Sequence, residues 1–512
     1  MRIVGNNPQL SRQTQGTASG AITGGKPVVV NTDGTVSEIS ATAVSVAGSV
    51  GTAINTGAAD SYTSQYRLAY DTNRDKGMIV YRDDADSNNG NINILSVSGT
   101  DVSKSSDVAF HDGNVYYPII TFDSNNNMAL VAFRDNSQSG YGRSKIISGS
   151  GTTATAGGLT TYRSASSSPV AITFDNDKNR IALFYIASGS TSGSSDMLHC
   201  ITGEINGATS ITWRDNQELT DSCTASTGGN SPVADACFDS NLNKVVLVYR
   251  DAGNSNHGTA VIGTFAGDGE SITFGTPVVF NAANTENLGI DFDSNSNKVV
   301  IVYNDRGNSG SNTAIVGTVS GTTISFGSEV VFSTSSLGED DTNSTNAIAF
   351  DSNTNKMNVF FNKWAGNGNE RIYAIEGTVS GTSISFGTEV NLNSSTRAFH
   401  ATTVFDPDTN QNIIAYVDIS GNVNQQIYTP SSTSSNLTAS TSEAFIGFAE
   451  DTVATGQPVT VNTKGTVDEN QSSLTPAQQY FVQTNGTLGT SAGSPSVVAG
   501  TAVTATKLIV KG

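Results

Sequence analysis

Apolar positions along this chain fall into one phrase that returns seven times. An aromatic residue and an aspartate are followed by four residues drawn mostly from Ser, Asn, Asp, Thr and Lys. An apolar run then ends in a second aromatic, eleven residues after the first. The copies run Tyr70-Asp71 to Tyr81, Phe122-Asp123 to Phe133, Phe174-Asp175 to Tyr185, Phe238-Asp239 to Tyr249, Phe292-Asp293 to Tyr303, Phe350-Asp351 to Phe361 and Phe405-Asp406 to Tyr416. They start 52, 52, 64, 54, 58 and 55 residues apart, which announces a repeat architecture.

Each copy predicts four short strands, A to D. In the fifth, Leu288–Phe292 is A, Lys298–Tyr303 is B, Thr313–Val319 is C and Ile324–Phe332 is D. B is the most continuously apolar, as a strand covered on both faces should be. Strands C and D are hardest to place around Gly149 to Tyr162. No stretch sustains apolar spacing at i, i+3, i+4, so helices are incidental. Four strands in about 50 residues fit a β-propeller blade, because one small twisted sheet cannot bury both faces alone and a ring of sheets can. The predicted class is therefore all-β, a seven-bladed β-propeller over residues 41–430.

Closure of the ring is predicted from a missing strand. The seventh copy ends with strand C near Gln425–Tyr428 and runs into Pro430-Ser-Ser-Thr-Ser-Ser with no D. Val44-Ser-Val-Ala-Gly-Ser-Val50 resembles Ile324-Ser-Phe-Gly-Ser-Glu-Val330 and precedes the first A, so it is expected to complete the last blade. In the flanks, Gly25–Val36 and Gly456–Val467 agree at 9 of 12 positions, each with an Asp-Gly or Lys-Gly step that predicts a hairpin. Tyr480–Leu488 carries another hairpin signal. The hairpin segment 19–40 and a C-terminal domain, 431–512, should pack as a small accessory β-domain. Residues 1–18 are polar and aperiodic and suggest an arm that orders on a partner.

Composition narrows the function. The chain has 512 residues, 26 basic and 45 acidic side chains, a net charge of −19 and only 14% charged residues. With no basic stripe, nucleic acid is a poor partner. No run is long and apolar enough for a membrane helix, and the amino terminus lacks the apolar core of a secretory signal. Cys200, Cys223 and Cys237 are an odd count without metal spacing; buried thiols from a reducing cytoplasm fit them better than a Cys223–Cys237 disulfide.

A resemblance adds to this reading. Asn312-Thr-Ala-Ile-Val-Gly-Thr-Val-Ser-Gly-Thr-Thr-Ile-Ser-Phe-Gly327, restated as Gly377–Gly387, resembles a repeat phrase in virion structural proteins of marine tailed phages, cyanophages especially. The stretch from Ser473-Leu-Thr-Pro-Ala-Gln-Gln-Tyr480 to Ala505-Thr-Lys-Leu-Ile-Val510 is similar to the ends of phage tail and appendage proteins. The resemblance implies a component of a bacteriophage particle, exposed on a tail or appendage, and brings no enzymatic residues.

Candidate chemistry is sparse. Asp293–Asn297, Asp351–Asn355, Asp175–Asn179 and Asp406–Asn410 open like a calcium loop but lack its Gly and terminal Glu. The A–B hairpin, in which Asp and Asn bond their own backbone, explains them better. Arg82-Asp83, Arg134-Asp135 and Arg250-Asp251 recur at the same point of the repeat and indicate scaffold work, such as bonds between adjacent blades. The four histidines form no nucleophile or zinc constellation, and no cofactor or metal is expected. Recognition belongs to variable loops on the B–C and D–A face. The candidate contact residues are Glu339, Asp340, Asp341, Trp364, Arg397 and His400; Trp364 suits either a sugar ring or packing.

The expectation is a non-enzymatic virion structural protein, folded in the host cytoplasm, serving as tail fibre or surface appendage. Its propeller would offer loops to a host-surface glycan or a neighbouring virion protein, with the arm and C-terminal domain attaching it to the particle as a homo-oligomer. The alternatives are a propeller glycan hydrolase or lyase on the particle, for which two carboxylates suffice, and a head-decoration protein.

Overall fold

The computed structural model describes residues 13–39, 42–59, 65–187, 197–220, 233–334, 346–364, 370–393, 397–436, 445–483, 486–492 and 496–511. Among them the chain is all-β; the helical segments are 3-10 turns of three residues, such as Asn136–Gln138 and Ala252–Asn254. Two compact units form: Gly48–Ser431, and a second made from Met1–Ala47 together with Ser432–Gly512.

In the larger unit each sequence copy is an antiparallel group in the order A-B-C-D. Strand B is the buried spine: Met78–Tyr81, Val245–Tyr249 and Val299–Tyr303 are 0–2% exposed, because both faces of each sheet are covered by its neighbours. The stretch that was hard to place holds strands Tyr141–Ser150 and Thr153–Asp175, and the latter serves as D of repeat 2 and A of repeat 3. In repeats 4 to 7 D breaks into two short pieces around a Gly, as in Thr323–Phe326 and Val330–Ser333.

Apolar clusters join one repeat to the next. One unites Ala171, Phe184 and Leu198 of repeat 3 with Val245, Leu247 and Tyr249 of repeat 4. Another unites Tyr66, Ile79, Tyr81 and Leu95 of repeat 1 with Phe399, Ile413, Val417 and Ile427 of repeat 7. The arrangement is propeller-like.

Repeat 7 takes its outer strand from the amino-terminal side, but only in part from the residues expected. Ser49–Val50 pairs with Thr429 and Tyr428, and Ile54–Ala59 pairs with Gln425, Asn424 and Asn422. Thr42–Val46 pairs instead with Ser432–Asn436 in the smaller unit. The expected strand was displaced by four residues: Gly51 N–H bonds Ile427 O as Gly327 N–H bonds Val316 O, so Gly51-Thr-Ala-Ile54 is the counterpart of Gly327-Ser-Glu-Val330.

Three of the glycines at this D-strand break press on the next repeat. A Cβ on Gly275 would lie 1.8 Å from Thr322 O of repeat 5, and one on Gly327 would lie 1.8 Å from Thr382 O of repeat 6. On Gly51 of repeat 7, it would lie 1.8 Å from Thr100 O of repeat 1. The seventh repeat therefore meets the first through the same contact that joins fourth to fifth and fifth to sixth.

The smaller unit holds two five-stranded sheets. In one, Gln13–Thr17, Pro458–Thr463, Phe445–Ala449, Pro27–Val30 and Val36–Glu38 lie in that order. Gln13–Thr17, read as part of a polar arm, is thus an edge strand; main-chain bonding needs no apolar side chains, and its own are mostly exposed. Residues 1–12 of that arm lie outside the described residues. Gly25–Val36 forms its hairpin. Its sequence counterpart does not: Pro458–Thr463 already has neighbours on both edges, and Val467–Asp468 pairs with Leu508–Val510 in the other sheet.

Candidate functional site

Most of the recurring polar residues of the larger unit are committed to the scaffold. In all seven repeats the Asp after the strand A aromatic is buried, and its Oδ1 accepts the N–H groups two and three residues on, at 2.8–3.2 Å. The residue four positions on, Asp75, Asn127, Asn179, Asn243, Asn297, Asn355 or Asn410, has φ of 52–57°, which Asn and Asp tolerate best among side chains with a Cβ. These are the backbone-bonding hairpins that the sequence pattern indicated, with Oδ1 taken up by main-chain donors.

The Asp ending strand B does similar work. Asp135 Oδ1 accepts Ser137 N–H at 3.0 Å and Asp251 Oδ1 accepts Gly253 N–H at 3.0 Å, each capping a 3-10 turn. The preceding Arg reaches within and between repeats: Arg134 Nε donates to Asn136 Oδ1 at 2.8 Å, and the Arg82 guanidinium lies 4.1 Å from the Tyr116 ring centre of repeat 2.

Departures from the repeat define the candidate site. Strands A of all seven repeats line one cavity of about 480 Å³, and its charged residues are Arg67 of repeat 1, Asp235 of repeat 4 and Asp291 of repeat 5. Asp235 Oδ1 accepts Ala236 N–H at 2.9 Å and its Oδ2 accepts Ile290 N–H of the next repeat at 3.1 Å. Asp291 repeats the device, accepting Phe292 N–H at 2.8 Å and Phe350 N–H of repeat 6 at 2.7 Å. Burial pushes both carboxyls up to about 6, against the pull of these N–H groups and, for Asp235, of Arg67. The Arg67 guanidinium, held below its ordinary value by burial, donates to Tyr66 O at 2.8 Å. Both carboxyls thus sit above the ordinary carboxylate range, with the Arg67 guanidinium in the same lining. Cys237 lines the same cavity as a free, buried thiol, and burial pushes it and Cys200 well up; Cys223 lies outside the described residues.

Of the residues expected on display, Glu339, Asp340 and Asp341 lie outside the described residues. Trp364 ends strand B of repeat 6, paired through its backbone with Glu370 at the start of strand C. Arg397 ion-pairs with Glu370 Oε2 at 3.1 Å and lies 5.1 Å from the Phe399 ring centre. Glu370, which sequence reasoning passed over, is therefore what brings the Trp364 and Arg397 positions together. His400 needs correction: it sits inside strand Ala398–Asp406 rather than in a loop, is 1% exposed, and has φ of 55° in a bulge between Phe399 and Thr402. Its carbonyl accepts the Tyr66 hydroxyl at 2.6 Å, so it joins repeat 7 to repeat 1.

The chain matches no family model and no curated protein. Among solved structures it is similar to the BP39L lectin from Burkholderia pseudomallei, at 11% identity and a TM-score of 0.46, over 73% of this chain and 99% of that one. It is also similar to the β-propeller domain of Myceliophteria thermophila Cps50 (Swd1), at 8% identity and a TM-score of 0.44, over 75% and 99%. A third is the Trypanosoma rangeli sialidase in complex with the inhibitor DANA, at 13% identity and a TM-score of 0.38, over 63% of this chain and 56% of that one. Among the described residues, no helix is long and apolar enough to cross a membrane, and no three His, Cys, Asp or Glu side chains group as metal ligands.

Proposed function

We propose that Gly48–Ser431 is a seven-bladed β-propeller closed by its own amino-terminal strand, and that the protein is a non-enzymatic bacteriophage virion component, a tail fibre or surface appendage. The contact of Gly51 with Thr100 O carries the architectural part, since it repeats at the seam what Gly275 and Gly327 do inside the ring. The virion part rests on the repeat phrase of Asn312–Gly327 and the carboxyl-terminal stretch. A binding role is supported by the chemistry: recurring carboxylates are bonded to backbone, so the scaffold is rigid and its loops are left to vary. The smaller unit, assembled from both chain ends, is the natural attachment module.

The test is competition. Purified protein should block adsorption of particles to their host in a dose-dependent way and should release no reducing sugar from host polysaccharide. Release of sugar that single carboxylate substitutions abolish would replace this reading with the hydrolase. Antibody labelling confined to the capsid would replace it with head decoration.

A further inference from the structure

In two places the residue after the strand D aromatic reaches a carboxylate of the next repeat. His111 Nε2 lies 3.3 Å from Asp135 Oδ2, and Asn281 Nδ2 donates to Asp305 Oδ1 at 3.2 Å. Each Asp stands two residues after the strand B aromatic. At the same point between repeats 2 and 3 the D-strand residue is Arg163, while the strand B position is Ala187, 2% exposed. Here a guanidinium replaces a neutral donor and the carboxylate is replaced by a methyl group.

The surroundings are rich in donors. The Arg163 guanidinium lies 5.8 Å from the Tyr185 ring centre, and Tyr185 stacks on His199 at 5.3 Å and 12°. Tyr162 is 7% exposed, and its ring lies 5.3 Å from Tyr185 and 5.8 Å from Trp213. Arg163 Nε and the Tyr162 hydroxyl are buried without a hydrogen-bond partner, while the Arg163 guanidinium also bonds Tyr185 and His199 bonds Asn216. Arg134, which bonds Asn136 and Ser168, acts electrostatically on Tyr162 as Arg163 does. The acid at hand is Glu218, half-exposed and 4.0 Å from His199. A buried unpaired donor is costly, and two side by side in a chain of net charge −19 call for an acceptor.

We infer that this site between repeats 2 and 3 binds an oxyanion, the carboxylate or sulfate of an acidic saccharide, which takes at Arg163 the place that Asp135 and Asp305 hold in their repeats. The guanidinium fork suits a planar or tetrahedral oxyanion, the Tyr162 hydroxyl would donate to a further oxygen, and Trp213 and His199, half-buried against Tyr162 and Tyr185, lie beside it. That the anion belongs to a saccharide rests on the binding role proposed above; the anion site itself does not.

The chain has two tryptophans, so in a Trp364→Phe background Trp213 alone reports on the site. Titrating the full chain with a glucuronate-containing oligosaccharide should change its fluorescence saturably, and a neutral oligosaccharide of the same size should not. Arg163→Gln should weaken binding about tenfold or more. Tyr162→Phe should weaken it less while raising the melting temperature, because it removes an unpaired hydroxyl. Ala187→Asp should abolish binding and also stabilise the free protein, by restoring the carboxylate of the other repeats. Equal binding by Ala187→Asp and the parent, or no response to any oxyanion, overturns the site. Saturable binding of inorganic sulfate without preference for the acidic saccharide would keep the site and sink the glycan reading.

Discussion

Asp291 shows how a single side chain can escape the sequence and still govern behaviour. Its carboxyl, pushed to about 6 by burial in the strand A cavity, bonds Phe350 N–H of the next repeat. A carboxyl raised above its unfolded value of 3.8 holds, in the folded state, a proton that the unfolded chain has released. The folded state therefore gains stability as pH falls through about 6, while above that value the buried charge costs about 1–3 kcal/mol. Asp291→Asn removes the titration but keeps one acceptor oxygen. The melting temperature of this variant relative to wild type should be highest near pH 8 and should decline between pH 6 and 4. A difference independent of pH would show that burial does not raise the carboxyl. The turn roles of Asp175, Asp293, Asp351 and Asp406 were legible because their partners are two and three residues away. Asp235 and Asp291 were not: their partners, Ile290 and Phe350, lie 55 and 59 residues on, and only the stacking of repeats brings them near.

Strands were read with more success than their edges. The spine strands B were legible because continuous apolar runs of this length fit only a doubly covered strand, whereas the closing strand was placed four residues early. Val44–Val50 has the right alternation, but alternation survives a shift of register, and the feature that fixes register is the Gly of the D-strand break. That feature appears as Gly275-Thr-Pro-Val, Gly327-Ser-Glu-Val, Gly387-Thr-Glu-Val and Gly51-Thr-Ala-Ile. Gly51→Ala would set a methyl group 1.8 Å from Thr100 O, a contact only backbone movement can relieve. The variant should lose about 1–3 kcal/mol in urea unfolding, close to the loss from Gly327→Ala. It should also speed hydrogen exchange at the amides of Asn422–Thr429, which face the closing strand, more than Gly327→Ala does. Equal exchange there in both variants would mean that the junction of repeats 7 and 1 is no weaker than that of repeats 5 and 6.

At the scale of the whole chain, the termini decide what can fold alone. Both crossings from one compact unit to the other fall where the chain enters and leaves repeat 7, at Ala47/Gly48 and Ser431/Ser432. The exit is pinned within the larger unit: Glu376 of repeat 6 accepts the Tyr428 hydroxyl at 2.9 Å, the Ser431 N–H at 2.5 Å and Lys356 Nζ at 2.6 Å, and it also bonds the Ser431 hydroxyl. All of these groups lie inside residues 48–431, as do the outer strand of repeat 7 and its partners. A fragment of residues 48–431 should therefore unfold in one cooperative transition near that of the larger unit in the intact chain. A fragment beginning at residue 65 leaves strand C of repeat 7 with a bare edge and uncovers Ile427 and Val423, which are fully buried in the intact unit. It should melt lower and form concentration-dependent oligomers, and a synthetic peptide of residues 48–59 added in trans should partly restore the transition. Light scattering and calorimetry of the two fragments separate the outcomes: equal stability with and without residues 48–59 would show that strand to be an ornament on repeat 7.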